Sequence, residues 1–386
     1  MRILSIQATW VPPPGDLRAD RFFLLSEHLE GDILHPVWYE RAEQLEAEFG
    51  PGALPSLTRG RFCYQWFLSF KYRGRFQWLR RQWFYISKGL ELHRKKGYDC
   101  IVVYSHMMPA LAGVVLKLLT GAKLIVEIMT SPDLSYLYEH VRPTWGDRVL
   151  RVYSDFCLHL TVLASDRVHL LYKTQLDHYR MLRRVPASVF HDFVTVSLIP
   201  SPPQEHDRVV LFVGAPWYLK GVDILIQAFK KVTDEFPDVM LRIQGHNPNS
   251  PELEAMAAGW PRIEIVKPVA NPETLQRISR ALVLAHPSRC EGMGRVLLEA
   301  MGAAVPVVGS DAGGIPSYIR HGENGFVFRS GDADELAVRL RELLGDAELR
   351  DKLGRKGYEL AHTLYTERVY VEQYTRMVEA AVRGDE

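Results

Sequence analysis

The stretch "ALVLAHPSRCEGMGRVLLEAMGAAVPVVGS", residues 281–310, reads as a buried strand, a glycine loop, a short helix and a second buried strand. Its two apolar ends are continuous runs and do not alternate, which fits strands covered on both faces of a parallel sheet. A strand, helix and parallel strand in that order form a right-handed βαβ unit. One residue resists a plain packing account. Glu299 lies in "VLLEAM", where a core helix would place a leucine, and an unpaired buried carboxylate is costly.

The same alternation runs outward in both directions. Through the first half come "RILSI", the helix-like "DRFFLLSEHL", "YDCIVVYS" (98–105), "PALAGVVLKLLTG" and "AKLIVEIM" (122–129). It breaks at the proline-rich "LIPSPPQEHDR" (198–208), then resumes with "VVLFVG" (209–214), "GVDILIQAFKKVTDEF" and "VMLRIQG" (239–245). "IEIVKPV" (263–269) and a helix from about Pro272 lead into the opening stretch. The fold class expected is therefore α/β, with two Rossmann-like domains facing across a cleft. Residues 1–200 form the first domain and 201–365 the second, and a helix over 366–386 is expected to pack back towards the first. Ligands of such sheets bind beyond the carboxyl ends of the strands. In "GDADEL" the D-x-D is read as Asp332 capping a helix and not as a metal site.

Bulk properties narrow the class. The 386 residues are 47% hydrophobic and 24% charged, with a formal net charge of +1, which does not predict a nucleic-acid partner. Four scattered cysteines (Cys63, Cys100, Cys157, Cys290) lack metal spacing and read as thiols of a reducing compartment. The most apolar window, 107–129, is broken by Lys117, Gly121 and Lys123 and reads as helix, turn and strand, not a membrane span. The N-terminus lacks the long apolar core of a signal peptide, so a cytoplasmic location is expected.

Four strand ends in the second half suit a sugar nucleotide. In "FVGAPWYLKG" (212–221), Gly214 ends a strand and Lys220 precedes a helix, offering a cation beside free amides. In "EGMGRVLLEAMG", Gly292 and Gly294 admit close backbone approach, and the helix that follows turns its amides outward. Glu299 then lies about five residues in, roughly 8 Å along the axis at ~1.5 Å per residue, the separation of a nucleotide's diphosphate from its ribose. The plain alternative is a loop glutamate and a helix glutamate reaching solvent. In "SDAGGIPSYI" (310–319), Gly313 and Gly314 expose amides or make an ordinary tight turn ahead of a helix carrying Pro316. In "LRIQGHNP" (241–248), Gly245 reads as a plain strand end.

Together these segments resemble the C-terminal half of family 4 glycosyltransferases, retaining enzymes of the two-Rossmann-domain GT-B fold. The carrying pattern is E-x7-E, Glu291 and Glu299, within "PSRCEGMGRVLLEAMGAAVPVVGSDAGGIPSYIRHGENGFVF", and "LFVGAPWYLKGVDILIQAF" resembles the family's G-R-x-x-x-x-K-G segment. The resemblance is specific over about 209–330 and only architectural over the first 200 residues. It implies a nucleotide-diphosphate sugar donor, UDP- or GDP-linked, with no prosthetic group and no obligatory metal. By the same resemblance Glu291 contacts the donor sugar, Glu299 the ribose and Lys220 the diphosphate. Gly292, Met293 and Gly294 form the phosphate-proximal loop. Three positions depart from the pattern: Ala215 replaces the usual arginine, Ser317 the usual glutamate, and Met129–Thr130 the usual histidine. Arg289 or Arg295 is expected to supply the missing cation.

In the first half, residues 59–96 hold eleven Lys or Arg, one acid and eleven aromatics. Such a mixture suits an anionic bilayer or a nucleic acid, and the rest of the chain argues against the nucleic acid; on a bilayer Trp66, Trp78 and Trp83 lie at headgroup depth, and the plain alternative is a helical pair covering the sheet. The acceptor expected is a saccharide or lipid-linked saccharide at the inner face of the cytoplasmic membrane, in cell-surface polysaccharide or glycolipid synthesis. His106 and Glu127 sit near strand ends, His106 as a candidate catalytic group, and each has a plain scaffold reading. Two other classes remain open: a sugar-nucleotide epimerase of similar architecture, and a nucleotide-sugar-binding scaffold.

Overall fold

The computed structural model describes residues 1–8, 16–38, 57–69, 77–129, 144–203, 205–245 and 251–385. No helix among these is long and apolar enough to cross a membrane. The chain forms two compact units: residues 1–132, 152–190 and 370–386, and residues 133–151 and 191–369.

The first unit carries an eight-stranded sheet of β1 (Arg2–Ile6), β2 (Glu30–Trp38), β3 (Thr58–Arg59), β4 (Phe62–Ser69), β5 (Cys100–Tyr104), β6 (Lys123–Ile128), β7 (Arg167–Leu170) and β8 (Ala187–Val189). Its order is β3-β4-β2-β1-β5-β6-β7-β8, and only the β3–β4 pair is antiparallel. Helices α1 (Arg21–Leu25), α2 (Gln77–Lys96), α3 (Met108–Thr120), α4 (Trp145–Ala164) and α5 (Gln175–His178) connect the strands. The β1–α1–β2 crossover runs towards one edge of the sheet, whereas α2, α3 and α4 make crossovers towards the other. Right-handedness therefore places α2, α3 and α4 together on one face and α1 on the opposite face. Contacts agree. A Cβ built on Gly89 of α2 would come within 2.8 Å of Leu116 on α3. Lys117 of α3 donates to the Ala164 carbonyl of α4 at 2.8 Å.

The second unit has a six-stranded, all-parallel sheet. Its strands are β9 (Asp207–Val213), β10 (Met240–Gln244), β11 (Ile263–Val266), β12 (Ala281–His286), β13 (Val307–Ser310) and β14 (Phe326–Phe328), in the order β11-β10-β9-β12-β13-β14. The helices are α6 (Val222–Val232), α7 (Pro251–Ala257), α8 (Asn271–Arg280), α9 (Arg295–Gly302), α10 (Ala333–Gly345) and α11 (Ala347–Leu364), followed by α12 (Glu367–Arg383). Every residue of β12 is buried, as its unbroken apolar run requires. Asp332 caps α10 by accepting from the amides of Asp334 and Glu335, as read from the sequence.

Several expectations need correction. Residues 62–69 of the basic aromatic stretch are a strand and not half of a helical pair, because β4 pairs with β2 along its whole length. Trp66 is therefore half-buried in a sheet and stacked on Tyr64 at 4.9 Å, while Trp78 and Trp83 stand exposed on α2. Residues 70–76 of that stretch, Thr130 and residues 246–250 lie outside the described residues. The helix expected after Gly314 is a single 3-10 turn, Ile315–Ser317. The segment of the first unit that precedes the proline-rich stretch runs to Phe190, which stacks on His169 at 3.8 Å and packs against Tyr370 and Tyr374 of the same unit.

Candidate functional site

Lys220, His286 and Glu291 reach one point in the second unit from three different segments. Lys220 lies in the loop after β9, His286 is the last residue of β12, and Glu291 lies in the loop that leads to α9. The Glu291 Oε2 accepts from Lys220 Nζ at 2.6 Å and pairs with His286 Nε2 at 2.7 Å, while its Oε1 accepts from the Gly292 amide at 3.2 Å. Burial pushes the carboxyl up, but the charges and hydrogen bonds of Lys220 and His286 outweigh it and hold Glu291 well below the usual carboxylate range. The His286 ring is buried and stacked against Phe212 at 5.9 Å, with its Nδ1 buried and without a hydrogen-bond partner among the described residues. Sequence reasoning passed over His286. The available signal was an imidazole at the carboxyl end of a buried parallel strand.

Glycines bring the loops this close. Gly221 has φ +69°, and a Cβ there would lie 1.9 Å from the Pro287 carbonyl oxygen. Gly313 has φ +58°, and its Cβ would lie 1.8 Å from the Glu291 carbonyl oxygen. Both positions combine left-handed backbone with contact too tight for any side chain. The Gly314 amide donates to the Gly292 carbonyl at 3.0 Å, so it braces the glutamate loop and is not turned towards an anion as expected. Gly214 donates its amide to the Gln244 carbonyl at 2.9 Å, and its α-carbon faces the Lys220 stem.

Arg289 does not replace the cation absent at Ala215. Its guanidinium forms a two-pronged pair with Asp223 at 2.7 and 2.6 Å, donates to the Tyr218 carbonyl at 2.6 Å and lies over the Tyr218 ring. It fastens the Lys220 loop to the glutamate loop. Arg295 remains half-exposed at the start of α9, 3.3 Å from Glu299. Gly294, at φ +67°, precedes α9, and Met293 is buried with its carbonyl accepting from Tyr318 at 2.5 Å. Glu299 is 14% exposed, and burial raises its carboxyl, partly offset by Arg295. Ser317 donates to the Gly314 carbonyl at 2.5 Å and contacts His191 Nε2 at 2.6 Å. No group of three metal-ligating side chains gathers among the described residues.

The two first-half candidates belong to the first unit and sit within its scaffold. His106 is buried with Nε2 2.8 Å from Ser154 Oγ, and burial pulls its imidazole down to about 4, so it is neutral near pH 7. Glu127 is fully buried between Arg21 at 3.0 Å and His169 at 3.3 Å. Burial pushes that carboxyl up, and Arg21 and His169 more than reverse it.

Residues 199–360 match the glycosyl transferases group 1 family, the segment that contains every residue of the Lys220–Glu291 cluster and α9. The chain is 34% identical to the sulfoquinovosyl transferase SQD2 of Arabidopsis thaliana over 142 residues, covering 36% of this chain and 28% of that protein. It spans about half the length or less of the first curated relatives it matches. Among solved structures, the sucrose-phosphate synthase of Thermosynechococcus elongatus superposes with a TM-score of 0.77 at 16% identity, over 98% of both chains. HepE of Anabaena, in complex with UDP, superposes with a TM-score of 0.71 at 16% identity, over 98% of this chain and 100% of that one. These two carry the same fold, and residues 199–360 are similar to the glycosyl transferases group 1 family.

Proposed function

We propose that this chain is a retaining glycosyltransferase that moves a hexosyl group from a nucleotide-diphosphate sugar to a saccharide or lipid-linked acceptor. Its expected setting is cell-surface polysaccharide or glycolipid synthesis at the inner face of the cytoplasmic membrane, with residues 77–96 of the basic aromatic segment, on α2, turned to the lipid. The observation that carries this reading is the convergence of Lys220 and His286 on Glu291, beside the amino end of α9. The match of residues 199–360 to the glycosyl transferases group 1 family, and the UDP bound by a protein of the same fold, support it.

In this reading the donor diphosphate lies over Gly292, Met293 and Gly294, against the first amides of α9. Lys220 exchanges Glu291 for the diphosphate, and His286 keeps Glu291 supplied with a hydrogen bond. Glu291 then accepts from hydroxyls of the donor sugar, and Glu299 from the ribose. Arg295 stands where a second cation can reach the phosphates. The bond from the anomeric carbon to the diphosphate oxygen breaks as the acceptor oxygen bonds to that carbon from the same face. The acceptor's proton passes to the departing phosphate oxygen, so no protein base is required. Lys220, Arg295 and the helix amides stabilise the leaving charge. His106, neutral and bonded to Ser154, serves as a hydrogen-bonding residue and not as a base.

Titration with UDP- and GDP-sugars by calorimetry, followed by nucleotide release with and without candidate acceptors, tests the proposal. Binding and acceptor-dependent release with an α-configured product from an α-configured donor are expected. Absence of binding to every sugar nucleotide overturns it. Epimerised donor without acceptor indicates the epimerase class instead.

A further inference from the structure

Half of the large exposed hydrophobic side chains lie on one face of the first unit. Among the described residues twenty large hydrophobics are exposed, and ten of them sit on α2, α3 and the part of α4 from Val152 on. Right-handed crossovers set these three helices side by side, and the α2–α3 and α3–α4 contacts agree. On α4 the residues Val152, Phe156, Leu160 and Leu163 are exposed at spacings of four, four and three, which is one helix face. The opposite face of the same helix buries Leu158 and Val162. A helix apolar on both sides is expected to be covered on both sides.

The surroundings indicate what covers it. Trp83 on α2 is 72% exposed and Leu118 on α3 is 79% exposed, next to exposed Trp78 and Leu79. The same segments hold seven lysines and arginines against two acids, in a chain whose formal net charge is +1. Lys88 and Lys95 answer Glu91 on their own helix, Lys96 pairs with Asp32 and Lys117 with Asp166, whereas Arg80 and Arg94 face solvent. Interfaces between protein copies are depleted of lysine at their centre. Tryptophan beside arginine and lysine, with aliphatic residues between them, is the composition that settles at the headgroup boundary of an anionic bilayer.

We infer that the α2–α3–α4 face is a docking surface for a bilayer carrying anionic lipid, with Phe156, Leu160, Leu163 and Leu118 entering the acyl boundary. Trp78 and Trp83 sit at headgroup depth, and the α2 arginines meet lipid phosphates. This deepens the membrane reading above and rests on it for its purpose. It moves the contact from Trp66, which the sheet holds, to a helix outside the basic stretch.

The test is flotation of the purified chain with phosphatidylcholine vesicles, with and without phosphatidylglycerol, at low and high salt. Binding about tenfold stronger to the anionic vesicles, weakened by salt, is expected. Phe156→Glu with Leu160→Glu, and separately Leu118→Glu, should each lower vesicle binding about tenfold with the melting temperature retained. Leu364→Glu, on exposed α11 of the second unit, should leave it unchanged. Equal partitioning of wild type and variants, or no binding to anionic vesicles, overturns the inference. So does a dimer in sedimentation velocity that Phe156→Glu dissociates, since the face would then join two copies. Vesicle binding is read without donor or acceptor, so sugar transfer and docking fail independently.

Discussion

Glu291 holds Lys220 at 2.6 Å and His286 at 2.7 Å on the same oxygen, while Glu299, eight positions on, pairs with Arg295 at 3.3 Å. Their carboxyls move in opposite directions, and so do their effects on stability. Glu291 is depressed below the unfolded value. Its contribution is therefore fully present above the ordinary carboxylate range and is lost only as pH falls through its low folded value. Glu299 is raised, so its ionised form costs stability above its folded value, and that cost vanishes as pH falls to the ordinary range. Glu299→Gln is accordingly expected to raise the melting temperature at neutral pH, with the gain shrinking in acid, while weakening UDP or GDP binding in calorimetry. An unchanged melting temperature at every pH would refute the assigned burial cost. Lys220→Met keeps the stem against Gly214 and removes the ammonium. A roughly hundredfold loss of kcat/KM is expected, the scale of removing one strong donor to developing charge; wild-type turnover in this variant would remove Lys220 from the mechanism.

At the scale of elements, the site depends on loops that only glycine can close. Gly313→Ala places a Cβ 1.8 Å from the Glu291 carbonyl oxygen at φ +58°, so the glutamate loop must shift. A destabilisation of at least ~2 kcal/mol in urea unfolding is expected, from left-handed strain and overpacking together. Nucleotide affinity should fall with it; a variant as stable as wild type would show that the two loops are not laced as described. The α10 cap gives a gentler case. Asp332→Ala frees the amides of Asp334 and Glu335 and should cost about 1 kcal/mol, read by the same unfolding assay, with nucleotide binding unaffected.

Over the whole molecule, the last seventeen residues complete the first unit rather than extend the second. Tyr370, Tyr374, Met377, Val378 and Ala381 are buried there, and the Tyr374 hydroxyl accepts from Arg21, which also holds Glu127. Burying each large side chain contributes about 1.5–3 kcal/mol. The four larger ones together reach the order of a domain's entire stability, ~5–15 kcal/mol. A chain ending after Thr366 is expected to lose cooperative folding of the first unit, seen as rapid limited proteolysis before residue 190 with the second unit protected. Equal protection of both units would contradict the placement of α12.

Local chemistry was legible in the sequence wherever it depended on neighbours along the chain. Continuous apolar runs gave the parallel strands, Asp332 gave a helix start, and the glycine loop before "RVLLEAM" placed Glu299 about one and a half turns into α9. Pairings across the chain were not legible. That Arg289 answers Asp223, that the Gly314 amide is spent on Gly292, and that His286 shares an oxygen of Glu291 with Lys220 depend on strand order. The sheet sets β9 beside β12 although about seventy residues separate them, and nothing in either segment states that adjacency. Composition likewise announced a basic aromatic surface, but only the fold could turn Trp66 into the sheet and leave Trp83 and Phe156 outside. Periodicity fixes which residues share a face; packing against the remaining elements decides which face meets solvent.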